Sequence, residues 1–319
     1  LVHALFEGDN LLIVDGNDPS LKRLFIPVVA TELTSSNAIK FISQTSEELK
    51  TIDDDYKIQV NPREINLFYL KGNLRERIVR NEEVYSVLNT KLSWNLKGIL
   101  EELNLYPERF SPNVIMRPLY QETILPNLCY IGGGGELSYW LQLKTYFESE
   151  QLNFPILLHR NAVLIMRKKQ QQKLDKLNVS VLDLFQNKQT LIDSQIKKTS
   201  KFIIDFSEQK AAISQQFLVI YNIASQTDKS FIGAVSAQEK KQIKGLEVLE
   251  RRLLKAEKIS HANYIDSLEQ IHLELFPNGS LQERFLNFSE FYLDYGDEFI
   301  DRLRHELAPL NQNFHIFSL

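Results

Sequence analysis

The distribution of proline is the feature that most constrains how this chain can fold. Eight of its ten prolines lie at or before Pro155, and the next one is Pro277. The 121 residues between them contain only two glycines, Gly233 and Gly245. Because proline breaks helices and glycine weakens them, such a span, rich in Gln, Lys, Glu, Leu and Ile, predicts long helices.

Within this span an apolar repeat indicates a coiled coil. Four apolar side chains recur at alternating spacings of three and four residues: Ile243, Leu246, Leu249 and Leu253. A segment over residues 201–226 also has helical spacing, and residues 227–234 include a glycine at which the chain can turn. We therefore predict two antiparallel helices. An arm of this kind suits a homodimer, and the alternative is a helical hairpin folded on its own core.

The N-terminal part instead alternates short apolar runs with helical stretches. The runs predicted as strands are residues 11–15, 57–60, 67–70, 84–87, 128–131, 156–158 and 163–166. Asp18 and Pro19 suit the cap and first position of a helix, and further helices are expected from Ser93 and from Glu136. Strands that alternate with helices predict an α/β fold with a mostly parallel sheet.

Charge and cysteine content limit the classes of function. The net charge of −4 argues against a general nucleic-acid-binding surface. The single cysteine, Cys129, cannot form a disulfide within the chain, which favours a cytoplasmic protein; we interpret it as core packing rather than as a nucleophile. No apolar run approaches the roughly 18–20 residues of a membrane helix. The six scattered histidines give no metal-binding pattern.

Four consecutive glycines between a predicted strand and a predicted helix form the most informative motif: Gly132, Gly133, Gly134 and Gly135. Glycines at such a place let a ligand approach the backbone, and the helix N-terminus offers N–H groups to a phosphate or carboxylate. The third glycine of a dinucleotide fingerprint is replaced by Leu137. Glu136 would repel an anion but could hold an amine. The alternative is a tight turn required by packing.

Two further positions come after apolar runs that we interpret as strands, residues 114–116 and 156–158, at the edge where α/β proteins bind ligands. Arg117 could bind a carboxylate or phosphate through two parallel hydrogen bonds, or it could form an ion pair with Glu122 or another acid. His159 could act as a general base, or it could be a structural hydrogen-bonding residue.

Three segments of the chain resemble one known family. They are VHALF at residues 2–6, RPLYQETILPNLCYIGGGGELSYWLQLK at residues 117–144 and FPNGSLQER at residues 276–284. In this order they are similar to the bacillithiol biosynthesis cysteine-adding enzymes, also called cysteine ligases. The resemblance extends over the whole chain.

This resemblance implies a fold and a domain order. The fold would be a partial Rossmann-like core with a parallel sheet, similar to nucleotidylyltransferases, plus a long antiparallel helical coiled coil that pairs two subunits. We expect the core over residues 1–170, the coiled-coil domain over 171–275 and a C-terminal segment packed on the core over 276–319. The family's Gly-Gln-Gln type and acidic-histidine motifs do not occur in this sequence. We therefore expect the C-terminal portion of such an enzyme, inactive on its own.

The resemblance also implies a reaction, in which cysteine is joined by an amide bond to the amine of glucosaminyl-malate. ATP, bound together with Mg²⁺, would activate the cysteine carboxyl group. Glu136 and His159 are then the catalytic candidates. Candidates for binding substrate or nucleotide are the four glycines, Arg117, Tyr139 and Arg160. The alternative is a non-catalytic, dimeric coiled-coil scaffold with a degenerate α/β core.

Overall fold

The computed structural model describes residues 2–7 and 9–319, and the chain divides into two compact units. Unit 1 comprises residues 1–161 and 300–312, and unit 2 comprises residues 162–299 and 313–319. Each unit contains its own cluster of buried apolar side chains. The mixed α/β class with a coiled-coil half is confirmed. The three predicted ranges, 1–170, 171–275 and 276–319, stay a prediction.

Unit 1 contains most of the strands. Its elements are α1 Val2–Leu5, α2 Pro19–Leu24, α3 Ile26–Ser35, α4 Asn37–Ile52, β1 Leu67–Lys71, β2 Leu74–Asn81, β3 Val84–Val87, β4 Ser93–Asn95, α5 Leu96–Leu105, β5 Phe110–Pro112, α6 Arg117–Ile124, β6 Cys129–Gly132, α7 Gly134–Leu141, α8 Lys144–Ser149 and β7 Ile156–His159. The predicted helix start at Asp18 and Pro19 is confirmed, because Asp18 accepts a hydrogen bond from the Ser20 N–H at 2.8 Å.

Strand direction differs from the prediction of a mostly parallel sheet. The largest sheet has the order β4-β3-β2-β1-β5, and all of its strand pairs are antiparallel. The reason is local, because β1 and β2 are joined by only two residues, Gly72 and Asn73. Gly72 has φ +57°, the left-handed backbone that such a tight hairpin requires. Parallel pairing occurs between β6 and β7.

Three strand predictions in unit 1 are wrong. Residues 114–116 form a turn that leads into α6. Residues 11–15 form no regular secondary structure and do not pair with a strand of the described chain, and Leu12 is 71% exposed. Residues 57–60 are irregular because a buried side chain replaces the partner strand. The Gln142 amide accepts from the N–H groups of Gln59 (2.8 Å) and Val60 (3.2 Å) and donates to the Val60 carbonyl (3.1 Å).

Two predicted helix starts in unit 1 are shifted. The helix expected from Ser93 begins at Leu96, because Asn95 is its cap and accepts from the Gly98 N–H at 2.8 Å. The helix expected from Glu136 begins two residues earlier, at Gly134. The strands predicted at 67–70, 84–87, 128–131, 156–158 and 163–166 are confirmed with small shifts at their ends.

Unit 2 is mainly helical. Its elements are β8 Ala162–Met166, α9 Lys168–Leu177, α10 Lys188–Thr199, α11 Ser207–Ala224, α12 Lys229–Ser260, α13 Ala262–Leu275, α14 Ser289–Tyr295 and β9 Phe314–Ser318, and α15 Asp297–Glu306 contains a border between the units. β8 pairs with β9 in parallel. Among the described residues, no helix has both the length and the apolar character needed to cross a membrane.

The predicted helical hairpin is confirmed as α11 and α12. Lys210 pairs with Glu250 at 2.9 Å, and the Tyr221 hydroxyl donates to Glu239 at 3.0 Å, so the two helices run antiparallel. The turn is earlier than expected, since α12 begins at Lys229 with Asp228 as its cap. Gly233 therefore lies inside the helix.

Candidate functional site

The pairing of β6 with β7 brings several predicted site residues together. Gly132, the last residue of β6, is opposite His159, the last residue of β7. The Arg160 N–H donates to the Gly132 carbonyl at 2.9 Å. Because the two strands are parallel, the glycine run, His159 and Arg160 lie at the same carboxyl edge, where α/β proteins commonly bind ligands.

Gly132 is required by packing. A Cβ at this position would lie 2.6 Å from Cε1 of Tyr130 and 3.2 Å from Cδ2 of Leu137. The Tyr130 ring cannot easily move away, because it stacks on buried Trp140 with the ring centroids 4.1 Å apart. For this glycine the packing alternative from the sequence is therefore the better explanation.

The next three glycines have more room. A Cβ on Gly133 would lie 3.5 Å from Arg160 Nε, and one on Gly134 would lie 3.6 Å from His159 Nε2. A Cβ on Gly135 would meet no described atom within 4 Å. Because none of the three has positive φ, backbone strain does not require glycine here. The structure thus leaves open space at the start of α7, next to a histidine and an arginine.

Glu136 caps the helix that follows the glycines. One carboxylate oxygen, Oε2, accepts a hydrogen bond from the Gly133 N–H at 3.0 Å. The N-terminus of α7 is therefore already stabilised by a negative charge from its own first turn. This arrangement does not suit the phosphates of a nucleotide, which would have to displace the carboxylate. It suits a positively charged or amine-bearing group.

Arg117 provides the positive charge of the site from the first position of α6. Its guanidinium donates to the Tyr139 hydroxyl at 2.5 Å and to Oε1 of Gln121 at 3.1 Å. Burial works against the charge, while hydrogen bonds to Tyr139 and Tyr130 keep the pKa of Arg117 above its ordinary value. The phenols and the amide that hold this half-buried cation carry no charge.

The predicted ion pair between Arg117 and Glu122 is not present. The Glu122 carboxylate instead accepts from the backbone N–H of Asn127 at 2.8 Å and from its side-chain amide at 3.0 Å. Among residues 2–7 and 9–319, no carboxylate forms an ion pair with Arg117. Its charge is therefore not neutralised by a carboxylate of the described chain.

Two members of the site were not predicted from the sequence. Gln121 and Tyr130 both contact Arg117, and Tyr130 also covers Gly132. Burial raises the pKa of Tyr130, and its hydrogen bond with Arg117 opposes that rise. A usable signal was the spacing of Gln121, four residues after Arg117 and so on the same helix face.

Taken together, the candidate site combines a cation held by neutral groups with an exposed carboxylate and an exposed imidazole. Arg117 and the Tyr139 hydroxyl, which accepts from Arg117 and can still donate its own hydrogen, suit a carboxylate or phosphate. The exposed side chains of Glu136 and His159 flank the open start of α7. No group of three or more His, Cys, Asp or Glu residues within the described chain is placed to hold a metal ion.

Comparison with known proteins assigns both parts of the chain. Residues 1–161 match the family model described as the bacillithiol biosynthesis BshC N-terminal Rossmann-like domain. Residues 163–319 match the model described as the BshC C-terminal coiled-coil domain. Together the two models leave one residue of the chain uncovered.

Curated relatives carry the name "Putative cysteine ligase BshC". The protein of Flavobacterium johnsoniae is 51% identical over 319 residues, which are 100% of this chain and 60% of that protein. The protein of Christiangramia forsetii is 50% identical over 100% of this chain and 59% of its own length. The protein of Bacillus mycoides is 25% identical over 100% of this chain and 60% of its own length. The chain thus spans about three fifths of the length of these relatives.

Proposed function

Because this chain belongs to the bacillithiol biosynthesis BshC family, we propose that it is part of a cysteine ligase. The enzyme joins the carboxyl group of cysteine by an amide bond to the amine of glucosaminyl-malate, the last step of bacillithiol synthesis. The observation that carries the proposal is the pairing of Arg117 with uncharged partners beside an acid-capped glycine run. This arrangement offers a cation to a carboxylate and a carboxylate to an amine.

The substrate that carries both groups is the acceptor, glucosaminyl-malate. Arg117 and Tyr139 bind its malate carboxylate, with the guanidinium fixed by Gln121. The Glu136 carboxylate holds the amine near Gly135, where no described side chain occupies the space. The hydrogen bond from the Gly133 N–H to Oε2 keeps the Glu136 side chain in place, and the other carboxylate oxygen, Oε1, binds the substrate.

Amide formation requires a neutral amine and an acceptor for its proton. His159 is suited to accept that proton, because its Nε2 lies 3.6 Å from the position of a Cβ on Gly134. Arg160, whose Nε lies 3.5 Å from the position of a Cβ on Gly133, stabilises negative charge that develops on the carbonyl oxygen. Both residues come from the end of β7, so the parallel pair β6–β7 sets their spacing.

A carboxylate must be activated before it reacts with an amine, and we propose that ATP would supply this activation. One carboxylate oxygen of cysteine would then leave with the transferred phosphate or AMP as the amide bond forms. The glycine run does not fit the phosphates, because Glu136 already accepts from the Gly133 N–H.

The direct test uses the protein at the length of its relatives, with cysteine, glucosaminyl-malate, ATP and Mg²⁺, and detects the cysteinyl amide by mass spectrometry. Arg117→Lys should lower kcat/KM about 100-fold, since an ammonium cannot form the paired hydrogen bonds. Arg75→Gln, which removes a distant charge, is the matched control and should change it less than about 2-fold. Absence of product from a folded wild-type protein would favour the scaffold alternative.

A further inference from the structure

The five-stranded sheet contains a cleft at the point where β1 and β2 stop pairing. The last residue pair between these strands joins Phe68 to Arg77, whereas β2 continues to Asn81 along β3. Residues 63–66, which precede β1, therefore diverge from β2. The space between them forms a cleft of about 230 Å³.

A buried polar network keeps the cleft open. The fully buried Glu32 carboxylate accepts from the Asn66 backbone N–H at 3.0 Å and from its side-chain amide at 2.8 Å. Asn66 in turn donates to the Arg63 carbonyl at 2.7 Å and accepts from the Arg63 N–H at 3.1 Å. Because these bonds fix the backbone of residues 63–66, the cleft exists before any ligand binds.

The cleft has an excess of positive charge. Three arginines line it, Arg63, Arg77 and Arg80, together with one acid, Glu64. Arg80 is occupied by Glu64, which accepts from its Nε at 2.9 Å and from its terminal nitrogen at 2.5 Å. In the described part of the chain, the side chains of Arg63 and Arg77 have no hydrogen bond or ion pair.

The base of the cleft is apolar. Ile65 and Ile78 line it and are 5% and 1% exposed. Charge interactions are stronger beside such buried apolar groups than in open water, because the local dielectric constant is lower. Arg77 is itself half-buried on the strand, so its position is fixed more firmly than that of a surface arginine.

We propose that this cleft binds a small dianion, either a phosphate monoester or a dicarboxylate, through Arg63 and Arg77. Arg80 stays paired with Glu64 and forms the wall of the cleft. The volume is large enough for a group of this size. None of these residues belongs to the glycine-run site, so the proposal stands or falls separately from the ligase function.

Titration calorimetry on the chain in phosphate-free buffer tests the proposal, with inorganic phosphate and succinate as separate probes. We expect saturable binding of at least one probe, and the tighter one identifies the class of anion. Arg77→Gln should weaken it about 10-fold or more, and Arg77→Lys, which keeps the charge, about 5-fold.

The control is Arg75→Gln, which removes the same charge from the same strand. The Arg75 guanidinium lies 4.1 Å from the centroid of the Phe68 ring and does not line the cleft. Affinity should change less than about 2-fold in this variant. The proposal is overturned if the wild-type chain binds neither probe saturably, or if Arg75→Gln and Arg77→Gln weaken binding equally. If Arg77→Gln does not fold, the affinity of Arg77→Lys is compared with that of Arg75→Gln instead, and equal weakening again overturns the proposal.

Discussion

Arg109 and Arg117 are eight residues apart in the sequence, and both are half-buried beside tyrosine hydroxyls. They differ in whether a carboxylate neutralises their charge. Arg109 binds the Glu102 carboxylate at 2.6 Å and stacks over the Tyr106 ring at 3.6 Å. Arg117 is held only by uncharged groups, the phenols of Tyr139 and Tyr130 and the amide of Gln121. The first charge is neutralised inside the protein by a carboxylate, whereas the second has no carboxylate partner among the described residues.

A third cation, Lys22, extends the comparison. It is 4% exposed, donates to the Phe110 carbonyl at 3.3 Å and lies 4.8 Å from the centroid of the Tyr120 ring. No carboxylate of the described residues forms an ion pair with it, and burial lowers its pKa from 10.5 to about 8. Among the three cations, Lys22 is the most deeply buried and has no carboxylate partner in the described chain. We therefore expect the largest effect on the unfolding free energy at this residue.

The first prediction concerns the pH dependence of stability. The folded state holds the Lys22 proton less tightly than the unfolded state, so the penalty is largest below pH 8 and is relieved as pH rises towards 10.5. Relative to Lys22→Met, the unfolding free energy of the wild type should rise by about 3 kcal/mol between pH 7 and pH 11. Urea unfolding at several pH values measures this, and parallel curves for the two proteins would contradict it.

The second prediction tests the two arginines directly. Arg109→Met leaves Glu102 and Tyr69 without their cation and should lower the unfolding free energy by about 2 kcal/mol. Arg117→Met should lower it by less than about 1 kcal/mol, because only uncharged partners are lost. Urea unfolding at pH 7 compares the two variants. Equal losses would mean that both arginines are structural.

The third prediction separates the two ends of the glycine run. Gly132→Ala places a methyl group 2.6 Å from the Tyr130 ring and should destabilise the protein by about 2 kcal/mol. Thermal unfolding measures the loss. Tyr130→Leu in the same background should recover part of it by removing the ring, and no recovery would show that the clash lies elsewhere.

The smallest effect is expected at the other end of the run. Gly135→Ala meets no described atom and replaces a poor helix former in α7, so stability should increase by about 0.5–1 kcal/mol. If the space is kept for substrate, the same variant should raise KM in the protein at the length of its relatives. A stabilised variant with unchanged KM would remove Gly135 from the site.

Much of the site could be found from the sequence because glycine runs and strand ends are local signals. The rule for parallel strands predicts the run at residues 132–135 and His159 at one sheet edge, and β6 and β7 pair in that way. The strand predicted before Arg117 is wrong, because residues 114–116 form a turn that leads into α6. The sequence could not show that Gly132 is required by packing whereas Gly135 is not. A Cβ on Gly132 would clash with the Tyr130 ring, which is held by its stacking on Trp140, and this stacking is a tertiary contact.

Parts of the fold could also be predicted from the sequence. The sequence by itself determined the helical half, since the absence of proline and the apolar repeat act within one helix, and α11 and α12 pair as predicted. It also contained an overlooked signal, the two-residue loop at Gly72 and Asn73 that makes β1 and β2 antiparallel. A short loop leaves no room for the crossover that a parallel pair requires.

Only the tertiary structure decided which apolar runs become strands and which charges are neutralised. Residues 57–60 are bound by the Gln142 amide instead of a strand, and residues 11–15 have no neighbour to pair with in the described chain. Arg117 lacks a carboxylate because Glu122 is turned towards Asn127. Strand pairing and ion pairing depend on groups brought together by folding, and sequence spacing does not specify those partners.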